Sequence, residues 1–298
     1  MARWFTTLLA AVTLTLAGCA SLDGRSGASA SRTLGWRSAL GHGTVSSYAE
    51  LDRKGTPAAI GIVWSPTALD GLPTDSDRHH CFDRNKDGVV DPTTECHKAY
   101  EFVIPLPDTV TARADIPFKW VLLNWNPAGH NPPGVWDVPH FDVHFYMEPI
   151  ANIFAIQSGP CGREFVRCDH FEVGRKPVPP NYVHSDFRDV GGVVPAMGNH
   201  LIDRTGPEFN KQPFTRSWIF GVYDGKVIFY EEMVTRAFLL SRPDTCFPIK
   251  SAKAVAVSGF YPTVSCIRYN AKTGEYAVSM ENFVFRGAST PEPIAERK

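Results

Sequence analysis

The stretch Val138-Pro139-His140-Phe141-Asp142-Val143-His144-Phe145-Tyr146 decides the fold. Side chains along a β-strand alternate between faces, so residues two apart share one face. Phe141, Val143 and Phe145 make an apolar strip suited to a core, and His140, Asp142, His144 and Tyr146 project from the opposite face. Two imidazoles and a carboxylate are groups that bind divalent metals or move protons. A lone histidine in a β core is ordinarily a satisfied structural group. Several polar groups on one strand face each need a partner, because burial without one costs free energy. In a straight strand the Cα atoms of His140 and His144 lie ~13 Å apart. Adjacent pairs, His140 with Asp142 or Asp142 with His144, are therefore the natural chelates, and further ligands must come from elsewhere.

His200, which follows Gly198 in the segment 194–203, is one source, since glycine lets the backbone turn sharply and approach a site closely. Glu231 and Glu232 are another, and being consecutive on a strand they face opposite ways. Glu148 and His130 are further candidates near the central strand. The expected metal set is His200 with at least one of His140 and His144, completed by Asp142 or Glu232. Histidine and carboxylate without cysteine suits Zn, Mn, Fe or Cu better than Ca.

Working outward, the 298-residue chain has a net charge of −1, which leaves no basic stripe and argues against nucleic acid. With 24 glycines and 24 prolines it suits many short strands joined by turns. Strands are expected over 58–64, 100–106 and 118–125, and a short helix over 149–157. Asp224-Gly225 between the alternating runs 216–223 and 226–234 predicts a hairpin with a type I′ turn. A last pair, 263–269 and 275–285, turns at 270–274. The Pro- and Gly-rich segment 158–209 reads mostly as loops. The expected fold is one mainly β domain over 44–286, an antiparallel sandwich or barrel-like structure with long loops and few short helices, cupin-like topology being one option.

The N-terminus predicts a lipoprotein. Arg3 is a basic n-region, 5–16 an apolar stretch too short to span a bilayer, and Leu16-Ala17-Gly18-Cys19 a lipobox. Residues 1–18 are then a signal peptide, Cys19 the acylated residue and membrane anchor, 19–43 a flexible linker and 287–298 a disordered tail. An ordinary signal peptide is the competing reading. Ala20 after the cysteine leans towards the outer membrane, facing the periplasm. Of seven cysteines, six remain after the tether, an even number that suggests disulfides in an exported chain. Pairing sequence neighbours gives Cys81–Cys96, Cys161–Cys168 and Cys246–Cys266. A thiolate zinc cluster is the alternative, and it lacks CxxC spacing.

Between the first of those pairs, within an insertion spanning 74–98, the run 83–91 follows the calcium-loop pattern D-x-N-x-D-G-x-x-D. Asp83, Asn85, Asp87 and Asp91 offer side-chain oxygens and Val89 a carbonyl, with Gly88 at the sharp turn. The twelfth position falls on Thr94 and Glu95 comes one later, so the pattern is incomplete, and a polar surface turn is the plainer alternative.

The block 139–146, with Gly129-His130, Pro133-Gly134, Met197-Gly198-Asn199-His200 and Glu232-Met233-Val234-Thr235, resembles a bacterial extracytoplasmic family of undefined activity. Its reference member is a sigma-E-controlled protein of a thermophile. The similarity spans roughly 58–286 and implies a mainly β fold with a His-lined site. Glu231 stands where the pattern carries Pro, and 81–96 looks like an insertion. A looser site resemblance is to cupins, through Asp142-x-His144, Glu148, Pro195, Gly198 and His200, with Asp where cupins carry a first His. Two functions compete. One is a metal site for catalysis or for binding metal or a small molecule. The other is a non-enzymatic envelope assembly or stress-response module whose histidines knit the core. Association into homo-oligomers is compatible with both.

Overall fold

The computed structural model describes residues 31–91, 94–97 and 99–294, so the expected signal peptide and Cys19 lie outside the described residues. In chain order the strands are β1 (Ser31–Leu40), β2 (Gly43–Leu51), β3 (Pro57–Trp64), β4 (Tyr100–Pro105), β5 (Trp120–Asn126), β6 (His140–Tyr146), β7 (Ser158–Cys161) and β8 (Phe187–Val194). They continue as β9 (Gly198–Asp203), β10 (Arg216–Tyr223), β11 (Lys226–Thr235), β12 (Asp244–Pro248), β13 (Gly259–Tyr261), β14 (Val264–Asn270), β15 (Glu275–Glu281) and β16 (Val284–Arg286). Short helices α1 (Asp108–Thr111), α2 (Ile150–Phe154), α3 (Cys168–Gly174) and α4 (Arg236–Leu240) lie between them.

Two antiparallel sheets pack face to face as a sandwich. One has six strands in the order β1-β2-β3-β15-β14-β12, the other seven in the order β4-β5-β6-β11-β10-β9-β8. Among the described residues neither closes into a barrel. Alternation along β6 explains the packing. Phe141, Val143 and Phe145 enter the core between the sheets with Ile60, Ile62 and Trp64 of β3 and Val278 and Met280 of β15. The rings of Phe141 and Trp64 lie 5.4 Å apart across that interface.

The opposite face of β6 is also covered. Tyr146 is buried with Trp120, Ile153, Met197 and Phe229 in a second apolar cluster, its ring stacked on Trp120 at 4.3 Å. Its hydroxyl donates to the Met197 carbonyl at 3.0 Å, which ties the turn before β9 to the sheet. Gly198, which follows that turn and opens β9, has φ of 122°, and a Cβ there would press on Ile228 at 2.8 Å. The turn thereby starts β9 where His200 can lean back over β10.

The 224–225 hairpin forms as predicted, with φ of 49° and 73°, both left-handed as a type I′ turn requires. All three cysteine pairs are disulfides: Cys81–Cys96, Cys161–Cys168 and Cys246–Cys266.

Three segments differ from expectation. The linker reading of 31–43 gives way to β1 and its turn into β2, held by main-chain pairing from Ser31↔Leu51 to Leu40↔Gly43. As an edge strand with mostly exposed side chains, β1 carries little apolar alternation. Within 158–209, β8 and β9 form a ladder broken by an irregularity between Asp189 and Gly192, and the glycines there hid the strand signal. Residues 287–292 are docked: the Ser289 N–H donates to Val255 O at 3.0 Å and the Glu292 N–H to Asn181 Oδ1 at 2.9 Å.

Candidate metal centre

Register across the seven-stranded sheet decides which side chains meet. In the β6–β11 ladder His144 stands opposite Glu231, and Val143 opposite Glu232. Glu231 therefore shares the outer face with His144. Glu232 turns inward, where it is fully buried and accepts from the Arg216 guanidinium at 2.8 Å. The expected carboxylate Glu232 therefore does not face the histidines and Glu231 does, because antiparallel pairing fixes the faces.

His200 arrives from β9, across β10. Gly221 of β10 stands opposite both His200 and Phe229, and any Cβ there would collide with the Phe229 ring. The missing side chain gives that ring its place, and the His200 imidazole packs edge-on against it at 5.1 Å. The Nε2 atoms of His200 and His144 then lie 3.4 Å apart. Glu231 faces both, with Oε1 at 3.5 Å from His144 Nε2 and Oε2 at 3.7 Å from His200 Nε2.

Hydrogen bonding fixes which nitrogen is free. His144 Nδ1 lies 3.1 Å from the Leu122 carbonyl and His200 Nδ1 3.0 Å from the Gly192 carbonyl. A carbonyl only accepts, so each Nδ1 carries the proton and each Nε2 presents a lone pair. Backbone carbonyls in this position orient metal-binding imidazoles. Metal–nitrogen bonds of 2.0–2.1 Å imply tetrahedral edges of about 3.3–3.4 Å, close to the three separations observed.

Electrostatics prepare the same state. Burial, then the neighbouring His200, holds the His144 imidazole down to about 3, and burial holds His200 down to about 4, so both are neutral at neutral pH. Burial, and after it the charges of Asp142 and Glu232, pushes the Glu231 carboxyl well above its usual range.

His140 and Asp142 do not join this set; they gather with His130 of the loop after β5. Burial works against the Asp142 charge, but His140 and His130 outweigh it and hold the carboxyl well below its usual range. Burial likewise opposes a charge on His130, and Asp142 overcomes it to move that imidazole up. Glu148 lies off the site, accepting from Asn152 Nδ2 at 3.2 Å. Both groups open onto one cavity of about 300 Å³ whose walls include Trp136, Phe209 and Ile219. Arg163 and Arg204 also line it, exposed residues that sequence reading did not single out, since neither belongs to a motif.

The calcium-like run is a compact turn. Asp83 accepts from the Lys86 and Gly88 N–H groups at 2.7 and 2.9 Å, and Asp87 from Val89 N–H at 2.8 Å. Glu95, buried, accepts from Arg84, Asn85 and Asp91 N–H groups at 2.9, 3.1 and 3.0 Å. Beyond the disulfide, His97 reaches the cavity wall.

Glu231 must release its proton to bind a cation, whereas the imidazoles are already neutral above about pH 4. Zinc affinity of the chelator-treated protein is therefore expected to rise about tenfold per pH unit while pH stays below the raised Glu231 value. Competition titrations measure this, and Glu231→Gln should flatten the profile. A flat wild-type profile contradicts the assignment.

The chain matches no protein-family model, no curated protein and no solved structure.

Proposed function

We propose that the protein is a lipid-anchored envelope protein in which His144, His200 and Glu231 hold a divalent transition metal at the floor of a ligand cavity. Zinc fits foremost, with Mn, Fe or Cu as alternatives. The observation that carries this reading is the convergence of two Nε2 lone pairs and a carboxylate at 3.4–3.7 Å. Three protein ligands on a cavity wall leave a coordination position open to that cavity, the arrangement of catalytic zinc sites. A cation held there would supply a Lewis acid. Arg163 and Arg204 favour a small anionic ligand, and the apolar walls favour one with a hydrophobic portion.

Elemental analysis of protein purified without added metal tests this directly. Wild type should carry transition metal, and His200→Ala should lose about one equivalent while remaining folded. Full retention in His200→Ala contradicts the site.

The lipobox supports anchoring through Cys19, on an outer-membrane surface facing the periplasm. Cys19→Ala should release the domain in soluble form, read by membrane fractionation; unchanged partition sinks the anchor.

For the run 83–91 we propose a structural calcium site of extracellular affinity, ~10⁻⁴–10⁻³ M. Millimolar calcium should raise the melting temperature of wild type and leave the Asp83→Ala/Asp87→Ala variant unmoved. No shift in wild type removes calcium from the account.

A further inference from the structure

We infer that His130, His140 and Asp142 bind a second divalent cation, so that one cavity holds two. This goes beyond the reading above and uses none of its ligands. His130 Nδ1 lies 2.8 Å from the Asn131 carbonyl, and His140 Nδ1 lies 2.6 Å from the Val138 carbonyl. Each Nδ1 therefore donates, and in the neutral ring each Nε2 keeps its lone pair. Those lone pairs face a carboxylate: His140 Nε2 is 3.1 Å from Asp142 Oδ1, and His130 Nε2 is 3.3 Å from Asp142 Oδ2. An ionised carboxylate is acceptor-only, so this is acceptor facing acceptor.

His140 Nε2 and Asp142 Oδ1 are both buried with no protein hydrogen-bond partner. One added proton satisfies one Nε2–oxygen contact and leaves the other. Two protons place two imidazolium charges in rings only 4.7 Å apart, one of them the fully buried His140. A single divalent cation satisfies all three ligands at once. The carboxylate is already aimed, since Asn126 Nδ2 donates to Asp142 Oδ2 at 2.7 Å. This is the supporting hydrogen bond that orients a ligating carboxylate.

Asp142 and His144 are neighbours on one strand face, with Cα atoms about 7 Å apart. Asp142 and His130 line the same cavity as His144, His200 and Glu231. Two cations on one floor, with Arg163 and Arg204 on the lining, outweigh the carboxylates Asp142, Glu164 and Glu231 and leave a net positive pocket for an anion.

Zinc titration of the chelator-treated full chain, read by bound metal per chain, tests the inference. Wild type should bind two equivalents, and His130→Ala, His200→Ala and Asp142→Asn one each. His130→Ala with His200→Ala together should bind none. His130 sits on a partly exposed loop, so its variant stays informative if Asp142→Asn fails to fold. One equivalent in wild type, retained in His130→Ala and lost in His200→Ala, overturns the second site and puts a proton there. One equivalent lost in His130→Ala but retained in His200→Ala upholds this site and removes the other. No bound zinc in wild type overturns both.

Discussion

Imidazoles buried against carboxyl groups are the constraint on which the rest of this structure depends. On the outer face of β6 and its neighbours, four imidazoles spend their ring N–H on backbone carbonyls and turn bare nitrogens towards two carboxyl groups. Such sets are costly in a protein interior unless something positive stands among them. A divalent cation at each set would meet that need and would stand open to what enters the cavity. The sandwich supplies the burial that makes the need acute.

The two faces of the seven-stranded sheet divide the labour. The inner face, led by Phe141, Val143 and Phe145, contributes the apolar burial that holds the sheets together. The outer face is roofed by loops and α2, with Tyr146 as the joint between roof and sheet. Tyr146 shares its strand face with His144, and its bond to Met197 sets the start of the strand that carries His200. Sheet and ligand geometry are thus coupled through one hydroxyl. Gly221 adds a second coupling, since only a residue without Cβ leaves Phe229 where it braces His200.

Much of this was legible in the sequence. Period-two alternation places Phe141 and His144 on opposite faces with no knowledge of the partners, and Asp224-Gly225 fixes the hairpin by its demand for left-handed backbone. What stayed hidden depends on partners. Whether Glu231 or Glu232 faces the histidines follows from the pairing of β11 with β6, which no local pattern encodes. His130 was a candidate by proximity, yet its union with His140 and Asp142, apart from His144, required the loop path. β1 resembles a spacer in sequence because main-chain hydrogen bonds, indifferent to side chains, hold it in place. β8 was lost among glycines that the irregularity at 189–192 needs.

The proposed metal position lies between His144, His200 and Glu231. Anomalous diffraction at the zinc edge, from crystals of protein purified without chelator and soaked in zinc, addresses it most directly. The account predicts a peak about 2.0–2.1 Å from both Nε2 atoms and about 2.0–2.2 Å from a Glu231 oxygen. Density for the side chains alone, with a protonated Glu231 donating its single O–H to one imidazole and no anomalous signal between the three, would contradict it.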